Sequence, residues 1–335
     1  MYLRAGLKLI NNHFPWVSLK VPYSLSWHIT NACNESCLYC DHRFRKQREL
    51  STSEALSLVH DAALLGVKMF MLTGGEPLMR QDMEQLVFSI KKQGLLVAMA
   101  SNGRLIPDNL PLVKKLTFVK LSLDGDESTH DQIRSPGSFR GVIRAIETLL
   151  GLGIKPRLSS VICNLNADKL EKVLEVANHY KLKVKFQPAS DIHIKNPPPL
   201  VTLEKFKLAY DYLLSHSKKS SSLLVNSQAS LQYYYALLSN NKLPMALHCH
   251  STLFSNTITA DGYLSLCTPL MEDEDQRIDC KESQGLKRAL AMLHHPKSRR
   301  PQACRRCWCA HSLELNLLLT SFQNPLRCMR KLFWG

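Results

Sequence analysis

Residues 25–40 read Leu-Ser-Trp-His-Ile-Thr-Asn-Ala-Cys-Asn-Glu-Ser-Cys-Leu-Tyr-Cys, an apolar run from Leu25 to Thr30 followed at once by Cys33, Cys37 and Cys40. A short run of branched and aromatic residues has the make-up of a buried strand, so the three cysteines fall in one loop beyond its carboxyl end. Thiolates are the usual ligands of iron–sulfur clusters, which normally take four, and a three-thiolate loop leaves one iron open to another ligand. The same loop also suits a zinc site completed by His28 or His42. Spacing alone leaves both readings standing.

Outward from this stretch, apolar runs and helical patterns alternate six times up to about residue 190. The runs are Leu25–Thr30, Lys68–Thr73, Leu95–Ser101, Phe118–Leu123, Lys155–Ile162 and Leu182–Gln187. Such alternation predicts parallel strands joined by helical crossovers. After the first run, Ser51-Thr52-Ser53-Glu54 has the form of a capping box, Leu56, Val59 and Ala63 make an apolar face, and Gly66 closes the helix. The next helix is expected to end similarly at Gly94. No Gly-x-Gly-x-x-Gly follows the first strand, so the fold expected is α/β, a partial (β/α)6 TIM-like barrel rather than a dinucleotide-binding sheet.

In parallel β/α folds the active site gathers at the carboxyl ends of the strands. Here those ends carry Cys33 to Cys40, then Gly74-Gly75-Glu76-Pro77, Ser101-Asn102-Gly103 and Ser122-Leu123-Asp124-Gly125, with Asn164 and Gln187 at the last two. Adjacent glycines permit a close backbone approach, which suggests that Gly74 and Gly75 face a small charged molecule beside the cluster.

These motifs together resemble the radical S-adenosylmethionine (radical SAM) superfamily: Cys33-x3-Cys37-x2-Cys40 with Tyr39 before the last cysteine, and Gly74-Gly75-Glu76-Pro77 after the second strand. Ser122-Leu123-Asp124-Gly125 with His130-Asp131, Arg134 and Ser138-Phe139 resembles members that act on peptides. The resemblance implies that Cys33, Cys37 and Cys40 hold a 4Fe-4S cluster whose open iron binds S-adenosylmethionine, with Gly74 to Pro77 at its methionine amine. It further implies reductive cleavage to a 5′-deoxyadenosyl radical that removes hydrogen from a substrate. Tyr39 is expected near the adenine, and Ser101, Asn102, Ser122, Asp124, Ser159, Asn164 and Gln187 are cofactor-binding candidates by position. Each of these polar residues also suits a plain strand cap.

Beyond the barrel, Asn196-Pro197-Pro198-Pro199 breaks the chain, helical stretches follow at Thr202–Ser215 and Leu223–Leu238, and residues 218–222 read as a polar linker. Cys249 then precedes two alternating runs joined at Ala260-Asp261-Gly262, a hairpin signal, and the second run ends at Cys267. Cys304, Cys307 and Cys309 form a knuckle downstream. This tail resembles the SPASM and twitch extensions of radical SAM enzymes, which implies an auxiliary 4Fe-4S cluster on Cys249, Cys267, Cys304 and Cys307. The match is incomplete, with only Cys309 and the distant Cys328 left for a second cluster. Cys163 and Cys280 read as ordinary buried or surface thiols.

The domain boundaries expected are 1–24 for an N-terminal extension, 25–190 for the core barrel, 191–245 for a helical linker region, 246–312 for a small β-hairpin/helix cluster domain and 313–335 for an amphipathic tail. That tail suits either docking on the barrel or a peripheral membrane surface. At 335 residues and 45% hydrophobic the chain can build a large core. It has no apolar run long enough to span a bilayer and no export signal, so a cytoplasmic location with reduced thiols is expected. The net charge of +15 attracts acidic partners such as an electron donor of the flavodoxin or ferredoxin kind. No basic stretch is interleaved with aromatics, which argues against nucleic acid.

The leading functional expectation is a maturase acting on a peptide or protein side chain. The alternatives are a dehydrogenase or cofactor-assembly enzyme acting on a haem, quinone or sugar alcohol, a non-catalytic iron–sulfur scaffold, and a zinc-dependent nucleic-acid-binding protein. Asp191 and His193, just past the sixth strand, are the candidates for a proton acceptor.

Overall fold

The computed structural model describes residues 21–189, 201–217, 223–239, 249, 254–282, 284–293, 313–314 and 316–317. Six strands, β1 (Ser24–Thr30), β2 (Met69–Gly74), β3 (Leu96–Ser101), β4 (Phe118–Ser122), β5 (Arg157–Ile162) and β6 (Val184–Pro188), pair in parallel and in chain order. All six coincide with the apolar runs to within two residues at either end. The crossovers include α1 (Thr52–Leu65), α2 (Met83–Lys92), the single turn α3 (Leu110–Val113), α4 (Glu127–Ile133), α5 (Ser138–Gly151) and α6 (Leu170–His179).

The sheet has two unlike faces. Alternation along β4, β5 and β6 buries Val119, Leu121, Leu158, Val184 and Phe186 in the main core, while Lys120, Ser122, Arg157, Ser159, Lys185 and Gln187 point the other way and stay half-buried. A period of two can present opposite chemistry on opposite faces, and here the apolar face forms part of the main core.

Helix α1 starts as its sequence signals. The Ser51 hydroxyl accepts from the Glu54 N–H while the Glu54 carboxylate accepts from the Ser51 N–H at 2.8 Å, and Gly66 closes the helix with φ 92°. Its buried face is Ala55, Leu58, Val59 and Ala62, with Leu56 and Ala63 at the margin. The apolar stripe is therefore rotated from the Leu56–Val59–Ala63 face, because small Ala55 and Ala62 let the helix lie close to the sheet.

Past β6, the helical stretches are α7 (Leu203–Ser217) and α8 (Gln228–Leu238). The expected helix from Leu223 begins five residues late. Leu223 and Val225 pair with Val184 of β6 instead, at 3.0 and 2.8 Å, because a strand edge there offers unpaired backbone groups. The expected hairpin is present as β7 (Ser255–Ile258) and β8 (Tyr263–Ser265), closed by Gly262 at φ 82° and followed by β9 (Arg277–Asp279) and α9 (Gly285–Leu293). Strand β7 pairs in parallel with β1, Ser24 with Ser255 through Trp27 with Ile258, so the hairpin extends the core sheet to nine strands. Of the amphipathic tail, Leu313 and Leu317 are buried in the main core, and Glu314 accepts from the Ser227 N–H at the start of α8. Among the described residues no helix is long and apolar enough to cross a membrane.

The glycine pair after β2 is a tight packing point. A Cβ on Gly75 would sit 2.7 Å from the Ala32 carbonyl carbon, whereas one on Gly151 at the end of α5 would meet nothing within 4 Å. We expect Gly75→Ala to lower stability by about 2 kcal/mol or more through overpacking. Gly151→Ala should be neutral or gain up to about 1 kcal/mol from helix propensity, both read by urea unfolding.

Candidate functional site

The cysteine loop leaves β1 under tension from two sides. On one side, β2 runs on past its pairing with β1: the Gly75 N–H donates to the Thr30 carbonyl and the Glu76 N–H to the Ala32 carbonyl, both at 2.8 Å. The missing side chains at Gly74, with φ 118°, and Gly75 are what let this backbone close on residues 28–32. In this structure the close approach that the glycines permit is to the cysteine loop itself.

On the other side, the loop docks on the end of α4. The Leu38 N–H donates to the Ile133 carbonyl at 2.9 Å and the Ser36 N–H to the Arg134 carbonyl at 3.3 Å, which satisfies carbonyls that a helix end leaves open. Side chains reinforce the contact. Arg134 Nε donates to Asp124 Oδ2 at 2.6 Å, its Nη1 to Glu35 Oε2 at 3.4 Å and to Cys37 Sγ at 3.6 Å, and its Nη2 to the Tyr39 hydroxyl at 2.5 Å. Tyr39 in turn donates to Asp124 Oδ2 at 2.5 Å. A second chain runs in parallel: the Asp124 N–H donates to His130 Nδ1 at 3.0 Å, His130 Nε2–H donates to Ser138 Oγ at 3.0 Å, and the Ser138 hydroxyl donates to Glu35 Oε1. Because Nδ1 must accept, the His130 proton sits on Nε2. Asp131, next in sequence, accepts from the Gly137 and Phe139 N–H groups and so starts α5.

Burial pushes the Cys37 thiol up to about 12 against the pull of Arg134, and it raises Cys33 and Cys40 as well. These are values for bare thiols; a bound cationic metal reverses that balance. Three soft sulfur donors on one short loop, with a guanidinium already aimed at one of them, fit an iron–sulfur cluster with an open corner. Among the described residues no group of three His, Cys, Asp or Glu is gathered tightly enough to hold a single metal ion.

The residues expected at the strand ends divide into two groups. Glu76 is fully buried and is held by the Asn102 N–H at 2.8 Å, the Leu78 N–H at 3.2 Å and the Ser101 hydroxyl at 3.0 Å, while burial pushes it up to about 7. Ser101 and Asn102 thus serve Glu76, and Asn102 also donates to Asn34 in the cysteine loop at 2.7 Å. Asp124 has both oxygens engaged, Oδ1 by the Val161 N–H at 2.8 Å. Asn164 accepts from the Thr202 N–H ahead of α7. By contrast Ser122, Ser159 and Gln187 lie half-buried on the polar face of the sheet. Tyr39 packs beside Ile133, Cys163 and Ala189. Cys163 and Cys280 are both buried, Cys280 against the Gly262 carbonyl at 3.1 Å. Cys267 follows β8 and is half-buried, as is Cys249. Asp191, His193, Cys304, Cys307, Cys309 and Cys328 lie outside the described residues.

Several residues of the site carry no sequence signal of their own. Glu35 stands between two cysteines and is 4% exposed, and Asn166 bridges the Asp124 and Val161 carbonyls at 2.8 Å each. Glu49 accepts from Thr30 Oγ1 and the Asn31 N–H, and Arg80 donates to the Ile29 and Leu50 carbonyls. A carboxylate inside a three-cysteine loop is the one hint that sequence offered.

Comparison with known proteins places these features. Residues 27–179 match the family described as the Radical SAM superfamily. Fe-coproporphyrin III synthase of Methanosarcina barkeri is 29% identical over 188 residues, covering 54% of this chain and 47% of that protein. The mycofactocin maturase MftC of Mycolicibacterium smegmatis is 31% identical over 169 residues, 48% of this chain and 43% of that protein. The chain thus spans about half the length of the curated relatives it matches. Among solved structures, Streptococcus suis SuiB bound to its precursor peptide SuiA has the same fold, with a TM-score of 0.67 over 96% of this chain and 77% of that one at 15% identity.

Two outcomes test the network. Burial, then the Arg134 charge, pushes His130 down to about 4, so the folded protein resists the proton that the unfolded chain takes up near 6.5. His130 alone should therefore cost on the order of 3 kcal/mol as pH drops from 6.5 to 4, while protonation of buried Glu76 works the other way, so the stability of the wild type minus that of His130→Gln should fall by about that amount in urea titrations. Arg134→Met leaves Asp124 and Glu35 buried without their cation and should cost about 3–5 kcal/mol, while adding Asp124→Asn should recover part of the loss.

Proposed function

We propose that the protein, whose residues 27–179 match the Radical SAM superfamily, is a maturase-type radical SAM enzyme that removes hydrogen from a peptide or protein side chain. When bound, a 4Fe-4S cluster and S-adenosylmethionine supply the family's chemistry, reductive cleavage to a 5′-deoxyadenosyl radical. The observation that carries the reading is the cysteine loop, clamped between the Gly74–Gly75 backbone and the Arg134 network at the carboxyl ends of the parallel strands.

In this reading Cys33, Cys37 and Cys40 hold the cluster, and Arg134 stabilises the Cys37 thiolate by donating to it. Backbone groups of Gly74 to Pro77 take the amine of the methionine moiety. Ser122, Ser159 and Gln187, on the polar face of the sheet, are the candidates for ribose and carboxylate contacts. The side chains of Glu76, Ser101, Asn102 and Asp124, engaged with one another and with the cysteine loop, position these groups. Tyr39, packed with Ile133 and Ala189, keeps water from that side of the loop. Cys249, Cys267, Cys304 and Cys307 are proposed for one auxiliary cluster, and the +15 charge suits an acidic electron donor.

The peptide assignment is supported by the Ser122–Phe139 pattern and by the likeness to a maturase. A second reading, action on a small molecule, is supported by the likeness to Fe-coproporphyrin III synthase.

Anaerobically reconstituted protein should hold about eight irons, two clusters' worth, and release 5′-deoxyadenosine when reduced with S-adenosylmethionine. Changing Cys33, Cys37 and Cys40 together to alanine should halve the iron and abolish cleavage; retained cleavage would sink the proposal. Cys304→Ala with Cys307→Ala should also remove about four irons yet leave cleavage measurable. Mass spectrometry of candidate peptides, against haem-type and alcohol substrates, decides between the two readings.

A further inference from the structure

Charge divides the core fold into two poles. Helices α1, α2, α3, α5 and α6 each return to the sheet through a short turn, so five turns lie side by side at the amino ends of β2 to β6, opposite the strand ends that carry the cysteine loop. Taken from the last two residues of each helix to the next strand, these are residues 64–68, 91–95, 112–117, 150–156 and 178–183, and none contains Asp or Glu. Every one contains lysine. Lys68, Lys91, Lys92, Lys114, Lys155 and Lys181 are all exposed. Backbone bonds tie neighbouring turns to one sheet edge: the Leu96 N–H donates to the Lys68 carbonyl at 2.9 Å, the Thr117 N–H to the Val97 carbonyl at 2.7 Å and the Leu158 N–H to the Lys183 carbonyl at 2.8 Å.

Helix carboxyl ends carry partial negative charge, which a lysine in the last turn offsets. That accounts for Lys91 and Lys92 at the end of α2. Lys68, Lys155 and Lys181 stand beyond the caps of their helices, past Gly66, Leu152 and Tyr180. At the other pole cations meet carboxylates: Arg48 pairs with Glu54, Arg140 with Glu127 and Lys205 with Asp168. At the amino-end pole Lys115 pairs with Glu84, but among the described residues none of the six exposed lysines is in an ion pair. Asp61, Glu147 and Glu175 lie one helical turn back from the ends of α1, α5 and α6, so an approaching surface meets the lysines first.

Two leucines stand among these charges. Leu64, in the last turn of α1, is 73% exposed, and Leu96, bonded to Lys68, is 37% exposed. Apolar side chains set among lysines suit a bilayer interface, where phosphate headgroups meet the charge and the acyl boundary takes the leucines. A nucleic-acid surface would instead call for arginine or stacking rings, and the five turns contain no Arg, Phe or Trp.

We propose that this amino-end pole rests on an anionic bilayer surface as a peripheral contact. Strands of five to seven residues set the two poles about 20 Å apart, so the cysteine loop faces away from the lipid and stays clear of the headgroups. The contact goes beyond the reaction proposed above and does not depend on it.

The test is co-sedimentation of the full-length reconstituted protein with vesicles of phosphatidylcholine alone, or of phosphatidylcholine mixed with phosphatidylglycerol. Binding is expected to the mixed vesicles and not to the neutral ones, and it should weaken as salt rises. One lysine near such a surface contributes roughly fivefold, so Lys68→Gln with Lys92→Gln and Lys155→Gln should weaken binding by at least about tenfold. Removing the same charge from the other pole, by Arg48→Gln with Arg140→Gln and Lys205→Gln, should change it by less than about twofold. Leu64→Gln should cause a loss that salt leaves unchanged, because apolar burial is not screened. Circular dichroism checks that each variant is folded.

No binding to the mixed vesicles, or equal loss in the two triple variants, would overturn the pole as a contact surface. So would binding that survives in the Lys68, Lys92 and Lys155 variant but is lost on Arg327→Gln with Arg330→Gln and Lys331→Gln, which would give the contact to the last residues of the chain. Duplex DNA or polyglutamate bound through the same lysines, with no binding to vesicles, would overturn the membrane assignment in favour of another polyanion.

Discussion

A single buried guanidinium joins the two halves of the site. Arg134 reaches Asp124 at the end of β4, Glu35 and Tyr39 in the cysteine loop, and the sulfur of Cys37. Burying a cation costs several kcal/mol unless charge and hydrogen bonds meet it, and here two carboxylates, a phenol and a thiol do so. The loop is consequently held in one place before any metal arrives.

The sheet supplies the other constraint. Its apolar face packs into the main core, which leaves the polar alternation of β4, β5 and β6 on the opposite face. Strand β7, paired with β1, adds to the same sheet the hairpin whose second strand leads to Cys267. A thiol distant in sequence is thus attached to the core through backbone pairing.

Much of this was legible in the chain. The six strands, the capping box at Ser51, the hairpin turn at Gly262 and the placement of every motif at a strand end follow from periodicity and turn chemistry. Roles were less legible than positions. Glu76, Ser101 and Asn102 read as three ligand contacts, and they prove to be one buried cluster whose members bind each other. Asp124 is likewise engaged by Tyr39, Arg134 and Val161. The glycines after β2 announced a close approach, but only packing shows that the partner is the backbone of residues 28–32. Leu223 to Val225 have helical-looking neighbours, yet an open strand edge captured them.

The sequence by itself determined the fold class and the placement of the cysteine motif just past the first strand, because those depend on local periodicity. The tertiary structure alone decided which polar residues hold one another and that Lys120, Arg157 and Lys183 stand in one row. Those facts depend on register between strands that are distant in the chain. A pattern of two along one strand fixes which way a side chain points, but only the pairing fixes what stands beside it.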